Sequence, residues 1–186
     1  RAERMPSGDI TLMMQAIAQH RRAQTGKAAA RMQKLLKSRP KDAYYYELLG
    51  QILFEGRQFK SAVGVYATAA RLAPNNALIL GGYGRALLAA GQPKKALSTL
   101  EAARARDFRD PSVLRDLGSA YAQTGQPAMA SLAAAERQAL NGRFKDAALH
   151  ANRAIAGLPR GSGPWQRAQD VLGAAETSQA SRKKKR

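Results

Sequence analysis

The chain has 186 residues, 45% of them apolar, no cysteine, and a net charge of +18 from 31 basic and 13 acidic side chains. This is enough for one domain or one repeat array, and it excludes disulfides and thiol chemistry. No apolar run reaches the roughly 18 residues of a transmembrane helix, and the opening Arg1-Ala2-Glu3 does not begin a signal sequence. Starting on Arg1 rather than Met, the chain is expected to be a fragment or a processed form. Residues 1–40 hold nine Lys/Arg against two acids, 41–176 hold 17 against 11, and the last five are all basic. The expected outcome is a solvated basic surface, with a polyanion partner as the weaker alternative.

Residues 1–8 read as a lead-in. Asp9 is placed to cap a helix over 10–23, and Thr25 to cap one running to 37. On the second, Lys27, Arg31 and Lys34 form a wet basic stripe opposite Ala28, Met32 and Leu35. Further helices are predicted over 44–55, 59–72, 77–90, 94–106, 112–124 and 128–140, with Gly56, Gly91 and Gly125 in or beside the turns. Gly142-Arg143-Phe144-Lys145-Asp146-Ala147 mirrors Gly56-Arg57-Gln58-Phe59-Lys60-Ser61 and starts a helix that Pro159 stops. Two phases are open here, because the helix over 128–140 can close one repeat or open the next. A capping helix over 164–176, with Trp165, Ala168, Val171 and Leu172, precedes a disordered basic tail, 177–186.

Residues 43–76 organise the rest. Tyr46, Leu49-Gly50, Leu53, Ala62, Tyr66, Ala69 and Pro74 stand at places 4, 7–8, 11, 20, 24, 27 and 32 of a 34-residue unit. Gly50 and Ala62 let two antiparallel helices approach, and Tyr46 and Tyr66 fill the space beside them. The frame repeats over 77–110 (Leu80, Gly84, Leu87, Ala96, Leu100) and 111–144 (Leu114, Gly118, Tyr121, Ala130), with a degraded copy over 9–42. The pattern resembles the tetratricopeptide repeat. It implies an all-α solenoid of about ten helices in antiparallel pairs: an array over 9–176, with a partial repeat and cap at 145–176.

The chain shows no HExxH, no CxxC and no nucleophile beside a base; His20 and His150 stand alone. No catalysis, metal or small-molecule substrate is therefore expected. Gly81-Gly82-Tyr83-Gly84 lacks the Lys-Ser/Thr of a phosphate loop and is assigned to helix packing at Gly84. Met13-Met14 is assigned to core and Trp165 to anchoring the cap. Arg182–Arg186 is a polyanion-type run of low specificity. Aromatic residues to stack bases are missing from the basic stripe, which disfavours nucleic acid.

Three stretches carry a closer likeness: Tyr45-Tyr46-Glu47-Leu48-Leu49-Gly50-Gln51-Ile52-Leu53, Ser131-Leu132-Ala133-Ala134-Ala135-Glu136, and Leu158 to Asp170. They resemble the C-terminal half of bacterial BepA-type zinc metallopeptidases. The resemblance implies a periplasmic, non-catalytic domain that recruits substrate or partner for outer-membrane protein quality control. In that family the zinc and the HExxH belong to an N-terminal domain absent from this sequence. The alternative is a free-standing adaptor for extended or acidic peptides.

In such repeats places 2, 5, 9 and 12 of each first helix line the groove. They hold Tyr44, Glu47, Gln51 and Phe54, then Leu78, Gly81, Arg85 and Leu88, then Ser112, Arg115, Ser119 and Ala122, of which Tyr44, Glu47, Gln51, Phe54, Gly81, Arg85, Arg115 and Ser119 are the candidate binding residues. Gly81 is expected to leave a hollow beside Arg85, and Arg85 and Arg115 to offer two guanidinium forks to a carboxylate. The competing assignment pairs Arg85 with Glu47, and Arg115 with Asp116 or solvent, as surface ion pairs of little energetic value.

Overall fold

The computed structural model describes residues 7–184, apart from the side chains of Ser7, Gln179 and 181–184. Its ten helices are α1 (Ser7–Arg21), α2 (Thr25–Ser38), α3 (Ala43–Glu55), α4 (Phe59–Leu72), α5 (Ala77–Ala89), α6 (Pro93–Arg106), α7 (Pro111–Gln123), α8 (Pro127–Leu140), α9 (Phe144–Gly157) and α10 (Gly163–Lys184). The described residues contain no strand. The helices match expectation closely except at the two ends. Helix α1 starts inside the lead-in, and α10 runs on through residues expected to be disordered. Nothing between Ala174 and Lys184 is Gly or Pro, and the basic residues suit a helix C-terminus. Residues 185 and 186 of the basic run lie outside the described residues.

The repeat period is written into the turns. The left-handed residue between paired helices is Ala23, Arg57, Gly91 and Gly125, with φ of 56°, 60°, 74° and 76°, each 34 residues after the last. A glutamine follows each time. The N–H groups of Gln24, Gln58, Gln92 and Gln126 donate five residues back, to the carbonyls of Gln19, Leu53, Leu87 and Tyr121, at 2.8–2.9 Å. Gly56 keeps an ordinary φ of −75°. It is needed for another reason: a Cβ there would collide with the Thr25 side chain.

The turns between repeats are capped at the same period. Asp42 accepts from the N–H groups of Tyr44 and Tyr45 at 3.0 and 3.2 Å, Asn76 from Ile79 at 3.1 Å, and Asp110 from Ser112 and Val113 at 2.7 and 3.3 Å. Each satisfies donors that the first helical turn leaves open. The caps expected from Asp9 and Thr25 are not made. Asp9 lies within the first turn of α1 and accepts from Arg39 Nε at 3.1 Å; α2 starts behind Gln24, with no side-chain cap bond.

The helices form two compact units, 1–92 and 93–186, divided inside the third repeat frame. In the first, each helix packs on the next and α3 also meets α5. Its core holds Met32, Leu35, Leu49, Ile52, Leu53 and Tyr66. The Tyr66 ring is gripped from two sides: a Cβ on Gly50 would come within 2.7 Å of it and one on Gly82 within 2.6 Å. Tyr45 is buried, whereas Tyr46 packs at the margin on Ala43, Ala69 and Ile79. Met13 packs on this core, but Met14, expected there too, is exposed.

In the second unit each helix again packs on the next, and α8 also meets α10. Both expected phases coexist. After Gly125 the next left-handed turn residue is Gly142, with φ of 70°, half a period on. There Arg143 N–H donates to Gln138 at 2.9 Å, as the glutamines do. Helix α8 therefore closes the pair α7–α8 and opens the pair α8–α9. Ala168, sealed with Leu132 and Ala154, anchors α10, while Trp165 stays half-buried.

Candidate functional site

The residues expected to line the groove fall in both units, those of α3 and α5 in the first and those of α7 in the second. On α3, Tyr44 is 60% exposed and Gln51 is exposed, while Glu47 and Phe54 are half-buried. On α5, Leu78 is 59% exposed, Arg85 is half-buried and Gly81 is buried. Burial of Gly81 removes the surface hollow expected beside Arg85. Helix α5 approaches its neighbours here, and Gly82 meets the Tyr66 ring.

Several of these side chains are held in place. The Tyr44 hydroxyl accepts from Asn76 Nδ2 at 3.2 Å, so the residue that caps α5 also fixes a ring on α3. Gln51 Nε2 donates to Glu55 Oε1 at 2.9 Å, and His20 Nε2 lies 2.9 Å from Glu55 Oε2, tying α1 to α3. The Phe54 ring leans on Phe59, centroids 5.4 Å apart, and packs on the core. Phe54 thus serves the α3–α4 pair as much as any surface. Of the basic stripe on α2, Lys27 and Lys34 are exposed, but Arg31 is drawn to Gln19 and Gln15 of α1.

Glu47, Glu55 and Arg85 all act on the Tyr66 hydroxyl. Burial raises that hydroxyl's pKa well above the usual phenol value; Glu47 and Glu55 push the same way and Arg85 opposes them. Burial also raises the Glu47 carboxyl above the usual carboxylate range. This face is therefore a mixed-charge surface around a buried phenol, with bulky apolar side chains at its open end.

In the second unit Arg115 is exposed, and its Nε donates to Asp116 Oδ1 at 3.0 Å, as the competing assignment had it. Ser119 turns its hydroxyl to the Arg115 carbonyl. A cluster not anticipated from the sequence lies elsewhere in this unit. Arg104 of α6 donates from Nη2 to Glu136 Oε1 of α8 at 2.9 Å, and Arg167 Nε of α10 stands 3.5 Å from the same oxygen. Both Nε–H groups are shielded from solvent without a hydrogen bond. A cavity of about 350 Å³ opens beside Arg104 and Glu136, lined also by Phe108, Arg109, Leu140 and Val171. Arg104 and Glu136 stand 32 residues apart, close to the repeat period, and that spacing was the signal available. Among the described residues no group of His, Cys, Asp or Glu is placed to hold a metal, and no helix is long and apolar enough to cross a membrane.

Residues 13–77 and 53–117 match family models of the tetratricopeptide repeat. No curated protein sequence matches the chain. Similar solved structures include MamA from Desulfovibrio magneticus, 20% identical, with a TM-score of 0.71 over 96% of this chain and 98% of that one. A thermophilic TPR protein of Thermus thermophilus is 17% identical, with a TM-score of 0.61 over 88% and 98%. PilW, a type IV pilus biogenesis factor, is 18% identical, with a TM-score of 0.58 over 95% and 93%. At these identities the likeness speaks for the fold alone. The chain is an all-α protein built of tetratricopeptide repeats, a protein-interaction module.

Proposed function

We propose that this chain of tetratricopeptide repeats is a non-catalytic adaptor that holds an extended protein segment along the open face of α3 and α5. The observation that carries the reading is the pair Tyr44 and Leu78, bulky apolar side chains 60% and 59% exposed at the starts of two helices in contact. The Asn76 bond holds the Tyr44 hydroxyl before a partner arrives, which lowers the ordering cost of binding. Farther along the two helices Gln51 and Arg85 offer polar contacts, with Arg85 suited to a carboxylate. The segment that fits carries an apolar residue for Tyr44 and Leu78 and one carboxylate for Arg85. Calorimetric titration of such a peptide against the Tyr44→Ala/Leu78→Ala variant tests this. The expected result is a loss of roughly tenfold or more in affinity with an unchanged melting temperature. Equal affinity in the variant removes the site.

The likeness of 45–53, 131–136 and 158–170 to BepA-type metallopeptidases supports a finer reading. The partner is then a zinc metallopeptidase domain of the same parent, and the compartment the periplasm. The coding sequence upstream of Arg1 tests it. An HExxH with a downstream glutamate supports the reading, and an upstream stretch without one removes it.

A further inference from the structure

We infer that the second unit carries a separate pocket, between α6, α8 and α10, for an acidic protein segment that inserts one bulky apolar side chain. Its chemistry differs from that of the α3–α5 face. Two guanidiniums, from Arg104 and Arg167, meet one carboxylate, Glu136, and Arg109 lines the same cavity as Arg104 and Glu136. The nearby Asp107 accepts from the Arg109 backbone N–H. Glu136 is over-subscribed, because Arg104 Nη2 and Arg167 Nε reach the same oxygen, Arg167 at the longer distance, while the shielded Arg104 Nε–H makes no hydrogen bond. A shielded donor without an acceptor carries a standing cost, and a further carboxylate at the outer guanidinium nitrogens offsets the excess positive charge.

The wall of the pocket supplies the apolar half. Phe108 is 67% exposed in the short turn between α6 and α7, and Leu140 is 40% exposed at the end of α8. With Val171 they border the cavity of about 350 Å³. That volume takes one large side chain with its backbone, and an apolar group seated there shelters the guanidinium contacts from water and screening. Neither half suffices. A purely acidic chain leaves Phe108 and Leu140 wet, and a purely apolar one leaves the charge uncompensated.

The experiment uses the full chain and a fluorescein-labelled peptide of Glu, Ser and Gly with one central Phe. Binding is followed by fluorescence anisotropy. The expected result is saturable binding that weakens by roughly tenfold or more in Phe108→Ala and again in Arg109→Ala, with unchanged melting temperatures. Both positions are exposed, so neither change disturbs the fold. Replacing the peptide's Phe by Ser, or its Glu by Gln, is expected to lose a similar factor. Equal binding of the Ser peptide shows charge attraction only and overturns the inference. So does binding of free phenylacetate where the peptide fails, which makes the cavity a small-molecule site. Loss in Tyr44→Ala/Leu78→Ala together with retention in Phe108→Ala and Arg109→Ala assigns the peptide to the α3–α5 face and also overturns it.

Discussion

The two units fill the same kind of helix pair in different ways. The first is built around one large ring. Tyr66 occupies the space between α3 and α5, and Gly50 and Gly82 make room for it. On α8 and α9 of the second, the buried residues are mostly small: Ala133, Ala135, Ala147, Ala151 and Ala154, beside Leu132 and Gln138. A single repeat place shows the contrast. Gly50 and Gly118 both stand at place 8, but a Cβ on Gly118 would meet only the Ala130 carbonyl at 3.8 Å and the Ala133 methyl at 4.0 Å. The repeat signature therefore fixes which places are small without fixing how tightly each is filled.

The largest expected effect breaks that comparison directly. Gly50→Ala drives a methyl into the Tyr66 ring, which cannot retreat because Gly82 lies against its other side. Overpacking of this kind costs about 1–3 kcal/mol. Gly118→Ala meets ordinary contacts and gains helix propensity, so it should stabilise by up to about 1 kcal/mol. Urea denaturation of both variants reads opposite signs if the packing difference is real. Gly50→Ala in a Tyr66→Leu background should cost less than in the parent chain, since the smaller side chain can give way.

Much of the fold was legible because period and chemistry agree. Ten helices, their pairing and even the two phases at α8 follow from Gly, Ala, Tyr and Pro at fixed places. Asp9 and Thr25 look like caps in isolation, but the caps that form are Asp42, Asn76 and Asp110, which share one repeat place. Comparing the copies, rather than each helix start alone, would have found them. Gly81 was placed in a groove by its repeat place, whereas the helix contacts bury it. The Arg104–Glu136–Arg167 cluster needs three helices at once, and no motif describes it. Arg115 is bonded to Asp116 on its own helix, a neighbour that its repeat place does not reveal.

A smaller effect sharpens the comparison at the turns. The same left-handed place holds Arg57 in the first unit and Gly125 in the second. A Cβ in that conformation costs about 1 kcal/mol. Arg57→Gly should therefore raise stability by up to that amount, and Gly125→Ala should lower it by a similar one. Chemical denaturation of the two variants measures both. Changes of the same sign would mean that the Arg57 side chain contributes more than its backbone conformation costs.

The smallest expected effect depends on pH and belongs to the first unit alone. Burial raises the Glu47 carboxyl pKa, so the folded chain holds that proton more firmly than the unfolded chain. The stability tied to Glu47 is complete below the unfolded carboxyl value, about 4.3, and falls away as pH rises through the raised folded value. At neutral pH the charged carboxylate thus sits where its surroundings disfavour it. Glu47→Gln keeps the shape without the charge. It should be slightly more stable than the parent at pH 7, and the advantage should vanish on acidification below the unfolded carboxyl value. Thermal melts of both proteins from pH 3 to 8 follow the difference. Arg85 is the group that can reverse it, since both side chains act on the Tyr66 hydroxyl. If Glu47→Gln is instead less stable at pH 7, attraction between Glu47 and Arg85 outweighs burial. The face of α3 and α5 would then present a neutralised pair, and a partner's carboxylate would have to displace Glu47 to reach Arg85.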